Sequence, residues 1–146
     1  AVCSVSLEAR IFDLMRAVGE KKTEQAVTLY TNLLALKESP YMILSLMTRQ
    51  FRMILGAKLL SEAGISNGEI ATRLEVRDFA VREYLRQGTY FSKEQLEQAM
   101  SDCLQTDLDI KSGRIAETLA VELLLIRYSS RKQCLTKDGK SSVLTA

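Results

Sequence analysis

Histidine is absent from this chain of 146 residues, and its absence removes the commonest general base before anything else is weighed. A serine or cysteine nucleophile would have no imidazole beside it to take its proton. Cys3, Cys103 and Cys134 are an odd number, widely spaced, with no CxxC pair. That pattern suits a reducing compartment, the cytoplasm, and gives neither a disulfide framework nor a zinc site. Neither GxxxxGK[ST] nor GxGxxG occurs, so no glycine-rich loop cradles a phosphate. Paired carboxylates such as Glu94 and Glu97 fall on solvated helix faces. The chain is therefore expected to carry no catalytic group, no metal and no cofactor.

The remaining polar residues point to recognition. Asp107 falls inside the apolar stripe of Leu96, Met100, Cys103 and Ile110, with Lys111 one turn on, a spacing that favours a carboxylate–lysine pair. Glu122 interrupts an otherwise apolar helix in the same way. Each is a structural ion-pair member or a polar group kept for a subunit interface. A buried charge needs a partner, here Lys111, Arg114 or an arginine of the longest helix. Arg49 and Arg52, three apart on a narrow polar strip, are either solvated or contacts to a subunit or a phosphate. Residues 66–87 resemble a helix-turn-helix. In that arrangement Asp78, Phe79, Arg82, Glu83 and Arg86 would face DNA, with Arg77 completing a basic strip of Arg77, Arg82 and Arg86. A structural corner of three helices fits the same pattern. Glu75 stands where such turns usually carry Gly, and the second helix is mixed in charge.

The elements that must position these groups are helices. The longest runs over residues 40–63, with Pro40 in its first turn, Ser39 as its cap and Gly64 past its end. At about 1.5 Å per residue it spans ~36 Å. Its apolar residues cover more than half of the circumference and leave a strip of Ser45, Thr48, Arg49, Arg52 and Gly56, so it is expected at the centre, packed on several sides. Before it come a helix over 7–18, capped by Ser6 and stopped by Gly19, and one over 23–37. The second is joined by a connector short enough to pack it against the central helix. After it come short helices to Leu74 and over 78–87, the first opened by a Ser66–Glu69 capping box and the second by Asp78. A longer one opens at Ser92 and runs to about Ser112, with Leu104 in its inward stripe. The last, 115–128, is apolar nearly all round and reads as a buried core helix. It is too short to cross a bilayer, and no apolar run reaches ~18 residues. The fold class is all-α: a single bundle of about seven helices over residues 1–128 around a long central helix, followed by a polar tail over 129–146 without fixed structure.

Composition agrees. One Pro, seven Gly and no Trp are too few turn formers for an all-β fold. The net charge of +2 comes from the tail, where four basic residues face one acidic one, so the body is close to neutral. That is no strong nucleic-acid footprint. The chain begins Ala-Val-Cys, as a fragment cut at a domain boundary would.

Taken in order over residues 5–128, these pieces resemble the C-terminal domain of the delta subunit of bacterial DNA polymerase III. The resemblance starts at Ile11-Phe12-Asp13-Leu14 and continues in Pro40-Tyr41-Met42-Ile43-Leu44 and Arg49-Gln50-Phe51-Arg52. It runs on through Glu69-Ile70-Ala71 with Leu74, Phe79-Ala80-Val81 and Phe91-Ser92. It ends with Asp107-Leu108-Asp109-Ile110-Lys111-Ser112-Gly113 and Ala120-Val121-Glu122-Leu123-Leu124. The resemblance implies a collar domain that joins gamma/tau and delta-prime subunits in the clamp loader, which places the sliding clamp on primed DNA. The clamp itself would be met by an N-terminal region absent here. It implies no ATPase, in keeping with the missing phosphate loop, and no membrane. A helix-turn-helix DNA-binding regulator is the alternative. It would need an intrinsic dimer and a basic recognition helix.

Overall fold

The computed structural model describes residues 2–130, with side chains from Leu7 onward. Seven helices follow one another among these residues: α1 (Val2–Gly19), α2 (Thr23–Ala35), α3 (Pro40–Glu62), α4 (Asn67–Leu74), α5 (Asp78–Gly88), α6 (Lys93–Lys111) and α7 (Glu117–Ser129). The all-α bundle expected from the sequence is the one observed.

Helix α3 is the axis. Ser39 holds an extended backbone and its hydroxyl accepts from the Met42 amide at 3.2 Å, while Pro40 occupies the first turn. Its broad apolar surface is covered by α6 and α5 above all, then by α7, α4 and α1. Phe51 lies at the middle, fully buried, its ring centroid 5.9 Å from Phe91 in a T-shaped contact and 5.8 Å from Tyr128. Such edge and tilted contacts suit the quadrupoles of aromatic rings. Helices α3 and α6 run antiparallel: Tyr41 neighbours Asp107 and Lys111, Thr48 neighbours Cys103, and Glu62 pairs with Lys93 at 3.2 Å.

Several boundaries differ from the sequence expectation for local reasons. Helix α1 starts at Val2, and Ser6 lies inside it rather than capping it, because no Gly or Pro interrupts residues 2–18. Gly19 does not stop that helix by its own backbone; Lys21 takes the left-handed conformation, φ 62°. Gly19 serves close packing instead, since a β-carbon there would stand 2.7 Å from the Tyr90 ring. Helix α2 stops at Ala35, and Lys37 turns left-handed at φ 68°. That turn redirects the chain, so α2 packs chiefly on α1 and α7 rather than on α3. The Tyr30 hydroxyl donates to the Thr118 carbonyl at 2.9 Å and Thr23 to that of Ser129 at 2.8 Å, which makes α2 antiparallel to α7.

The capping boxes differ from each other. At Ser92 both halves form: its hydroxyl accepts from the Gln95 amide at 3.0 Å and Gln95 accepts from the Ser92 amide at 2.9 Å. At Ser66 only the forward half forms, because Glu69 turns to Arg73 at 3.1 Å. Asp78 is the first helical residue of α5, and the cap position belongs to Arg77. The chain after Ser129 was expected to be a polar tail. Ser129 instead closes α7, buried, its hydroxyl donating to the Leu125 carbonyl at 2.7 Å. Residues 131–146 lie outside the described residues.

A candidate protein interaction surface

The residues singled out from the sequence do not gather at one place. Asp107 and Lys111 pair at 3.3 Å on α6 and meet Tyr41 at the start of α3. The Tyr41 hydroxyl, and then the Lys111 ammonium, hold the Asp107 carboxyl below the usual carboxylate range. Hydrogen bonding to Tyr41 and Asp107 raises Lys111 in turn. The cluster ties the C-terminal end of α6 to the N-terminal end of α3.

Arg49 and Arg52 part company. Arg52 is exposed and Arg49 half-buried, its guanidinium donating to the Tyr84 hydroxyl. The two residues between them, Gln50 and Phe51, point inward. Glu122 is half-buried on α7, near enough to Tyr30 to raise its phenol, together with burial, which is the larger cause.

Arg82 and Arg86 share the outward face of α5 with Asp78 and Phe79, whereas Arg77 stands at the cap. Glu83 does not face outward with them. It turns back to α1, accepting from Arg16 at 3.2 Å, from Gln87 at 2.7 Å and from Arg86 at 3.0 Å. Burial alone would raise its pKa, but these donors outweigh it and the carboxyl is held low. The outward face of α5 is thus a mixture of two arginines, a carboxylate and an exposed aromatic ring.

Sequence reasoning missed a second hub. Asp102 on α6 accepts from the Tyr128 hydroxyl, from Arg127 at 3.2 Å and from Gln98 at 2.9 Å, which locks α7 to α6. Beside it, Cys103 is buried against Thr48, and burial pushes its thiol up to about 11, far from the range of a reactive thiolate. Between α6 and α7 runs a groove of about 200 Å³ lined by Thr106, Asp109, Leu123 and Arg127 among others.

The largest departure concerns leucines. Leu104 was placed in the inward stripe of α6, and α7 was read as buried all round. Leu104 is 60% exposed, and Leu108, one turn on, is also exposed. On α7, Leu119, Leu123 and Ile126 form an exposed row at i, i+4, i+7. The signal was in the phase: Leu96, Ala99 and Cys103 define the inward side of α6, and at 100° per residue Leu104 falls about 100° away from Cys103. Likewise Ala120, Val121, Leu124 and Tyr128 use the inward half of α7 and leave the opposite half free. Each of the two helices thus leaves a row of large apolar side chains in water, and Leu123, but neither Leu104 nor Leu108, lines the groove between them.

Among the described residues no three His, Cys, Asp or Glu gather as metal ligands, and no helix is long and apolar enough to cross a membrane. Fold and surface together define an all-α bundle that presents apolar rows, ion-pair hubs and open grooves.

The family can be given as well. The model of the DNA polymerase III delta subunit, C-terminal domain, matches residues 8–128, and the chain belongs to that family. It is 31% identical over 128 residues to the DNA polymerase III subunit delta of Bacillus subtilis (strain 168), a match covering 88% of this chain and 37% of that relative. It is also similar to the solved structure of the Bacillus subtilis DNA clamp loader delta protein (YqeN), with a TM-score of 0.80 and 31% identity. That match covers 84% of this chain and 36% of the other. The chain thus spans little more than a third of the length of these relatives. These similarities give no support to the alternative of a helix-turn-helix regulator. The mixed outward face of α5, with Glu83 drawn back to Arg16, is the physical counterpart.

Proposed function

We propose that this chain is the subunit-assembly domain of a DNA polymerase III delta subunit, a non-catalytic part of the clamp loader that places the sliding clamp on primed DNA in the cytoplasm. Its neighbours in the assembly are the gamma/tau and delta-prime subunits, and the clamp is met by a part of the subunit that this chain does not span. The observation that carries the reading is the pair of apolar rows on α6 and α7, in a chain of the delta C-terminal family. Fully burying a leucine gains about 1.5–3 kcal/mol. Half-exposed Leu104, Leu108, Leu119 and Leu123 therefore hold several kcal/mol in reserve for association, less what ordering costs. Glu122 and the Asp107–Lys111 pair lie on these two helices and Arg52 on α3, and they serve as polar groups of the assembly surface.

The test is co-elution of this chain with gamma/tau and delta-prime from the same organism on a sizing column. A stable complex is expected, and replacing Leu119 and Leu123 together by serine should dissolve it. A chain that remains alone, in this form and as the full-length subunit, would overturn the reading. Arg77, Arg82 and Arg86 are the candidate DNA contacts of the assembled loader. Their joint replacement by alanine should lower its DNA affinity and flatten the salt dependence. An unchanged salt slope removes them from that role.

A further inference from the structure

A second open region lies away from α6 and α7. It is a groove of about 460 Å³ between α1, α3, the α4–α5 turn and α5, and no residue of α6 or α7 lines it. It runs on into a smaller hollow between α1 and α5, Phe12 and Phe79 being common to both. Phe79 stands at the mouth, 56% exposed. A phenylalanine left in water beside an open apolar hollow is a contact without its second half.

The polar atoms in the groove are unfinished too. Gln50 lines it and is only 5% exposed, yet its side-chain oxygen has no hydrogen-bond partner among the described residues. A buried amide oxygen left in that state is costly and rare. Next to it the half-buried Arg49 spends a donor on Tyr84 and forms no ion pair among the described residues. Its planar fork keeps further donors for an acceptor. Arg77 lines the same groove from the cap of α5. Glu8, Glu75 and Arg77 are all exposed, so the charge set deepest in the groove is that of Arg49.

We propose that this groove is a docking site for a segment of a partner protein that brings an apolar side chain and a carboxylate. The apolar group lies against Phe12 and Phe79. The carboxylate is taken by Arg49, with Arg77 beside it, and a main-chain N–H of the segment satisfies Gln50. The inference is independent of the α6–α7 assembly surface: loss of either leaves the other standing.

N-acetyl-L-phenylalanine carries all three groups (ring, carboxylate and amide N–H) and is the probe. It is titrated into the isotope-labelled chain and followed by amide and side-chain shifts in NMR. Saturable shifts at the Gln50 side-chain amide and at Phe79 are expected. Arg49→Gln should weaken binding roughly tenfold, the loss of one charge-assisted hydrogen bond, and N-acetyl-L-phenylalaninamide should bind more weakly by a similar factor. Phe79→Ser changes an exposed residue and leaves the fold intact, so it decides the matter if Arg49→Gln fails to fold; it should abolish saturation. Absence of saturable shifts overturns the proposal. So does inorganic phosphate binding the groove as tightly as the probe, since the site would then take an anion without the apolar group, as a nucleic-acid backbone contact does.

Discussion

At the scale of single residues, the packing around Gly19 and the donors around Glu83 make the sharpest expectations. Gly19→Ala places a methyl 2.7 Å from the Tyr90 ring and 3.2 Å from its β-carbon. The ring cannot swing clear without moving its own backbone, so the substitution should cost about 1–3 kcal/mol, read as a lower urea midpoint. Were Gly19 merely a helix stop, alanine would be neutral or better. Glu83 is held low by Gln87, Arg16 and Arg86 against the opposing effect of burial. A depressed carboxylate stabilises the fold fully above its unfolded value of about 4.3, and that contribution fades as pH falls through the lower folded value. Glu83→Gln should therefore be less stable than the parent by ~1–2 kcal/mol at pH 7, with the gap closing below about pH 4. Urea midpoints at pH 7, 5 and 3.5 check the sign. A gap that stays constant would show that the carboxylate's charge is not what holds α1 to α5. The Asp107–Lys111 pair was legible from spacing alone, because i, i+4 neighbours meet on any helix. The Asp102–Tyr128 and Glu83–Arg16 bonds were not, because their partners are 26 and 67 residues apart.

At the scale of elements, local chemistry decides where helices begin and end, and it can be tested one cap at a time. Ser92→Ala removes one half of a complete capping box and should destabilise the protein by ~1 kcal/mol. Ser66→Ala removes a lone, longer bond at 3.3 Å and should cost less. Glu75 closes α4 in the left-handed conformation, φ 60° and ψ 45°, where a β-carbon crowds the following carbonyl. Glu75→Gly should raise stability by roughly 0.5 kcal/mol, measured as a higher thermal midpoint. A fall instead would mean that the side chain makes a compensating contact. The seven helices were readable from periodicity, capping serines and glycines, since each signal sits within a few residues of the boundary it marks. The sidedness of α6 and α7 was misread for a different reason. Helix α7 carries more large apolar side chains than one face can hold, and on α6 Leu104 lies beside the inward stripe, so apolar content alone does not say which leucines the neighbours reach.

At the scale of the whole molecule, interior and surface apolar side chains should behave in opposite ways. Phe51→Ala empties the centre of the bundle and should cost about 3–5 kcal/mol, enough to unfold a marginal domain. Leu104→Ser with Leu108→Ser should leave the unfolding free energy, read from urea titration, within ~0.5 kcal/mol of the parent and weaken the proposed association with gamma/tau and delta-prime. A double variant that loses stability as Phe51→Ala does would place these residues in the core instead. The sequence by itself determined the all-α class, the long central helix, the near-neutral body and the family, because helix periodicity, composition and the ordered motifs are properties of the chain. Only the tertiary structure decided that α2 leaves α3 for α1 and α7, that Glu83 faces inward, that Gln50 is buried without a partner, and which leucines stay in water. Those outcomes depend on which helix faces meet, and a face becomes inside or outside only when a second helix lies across it.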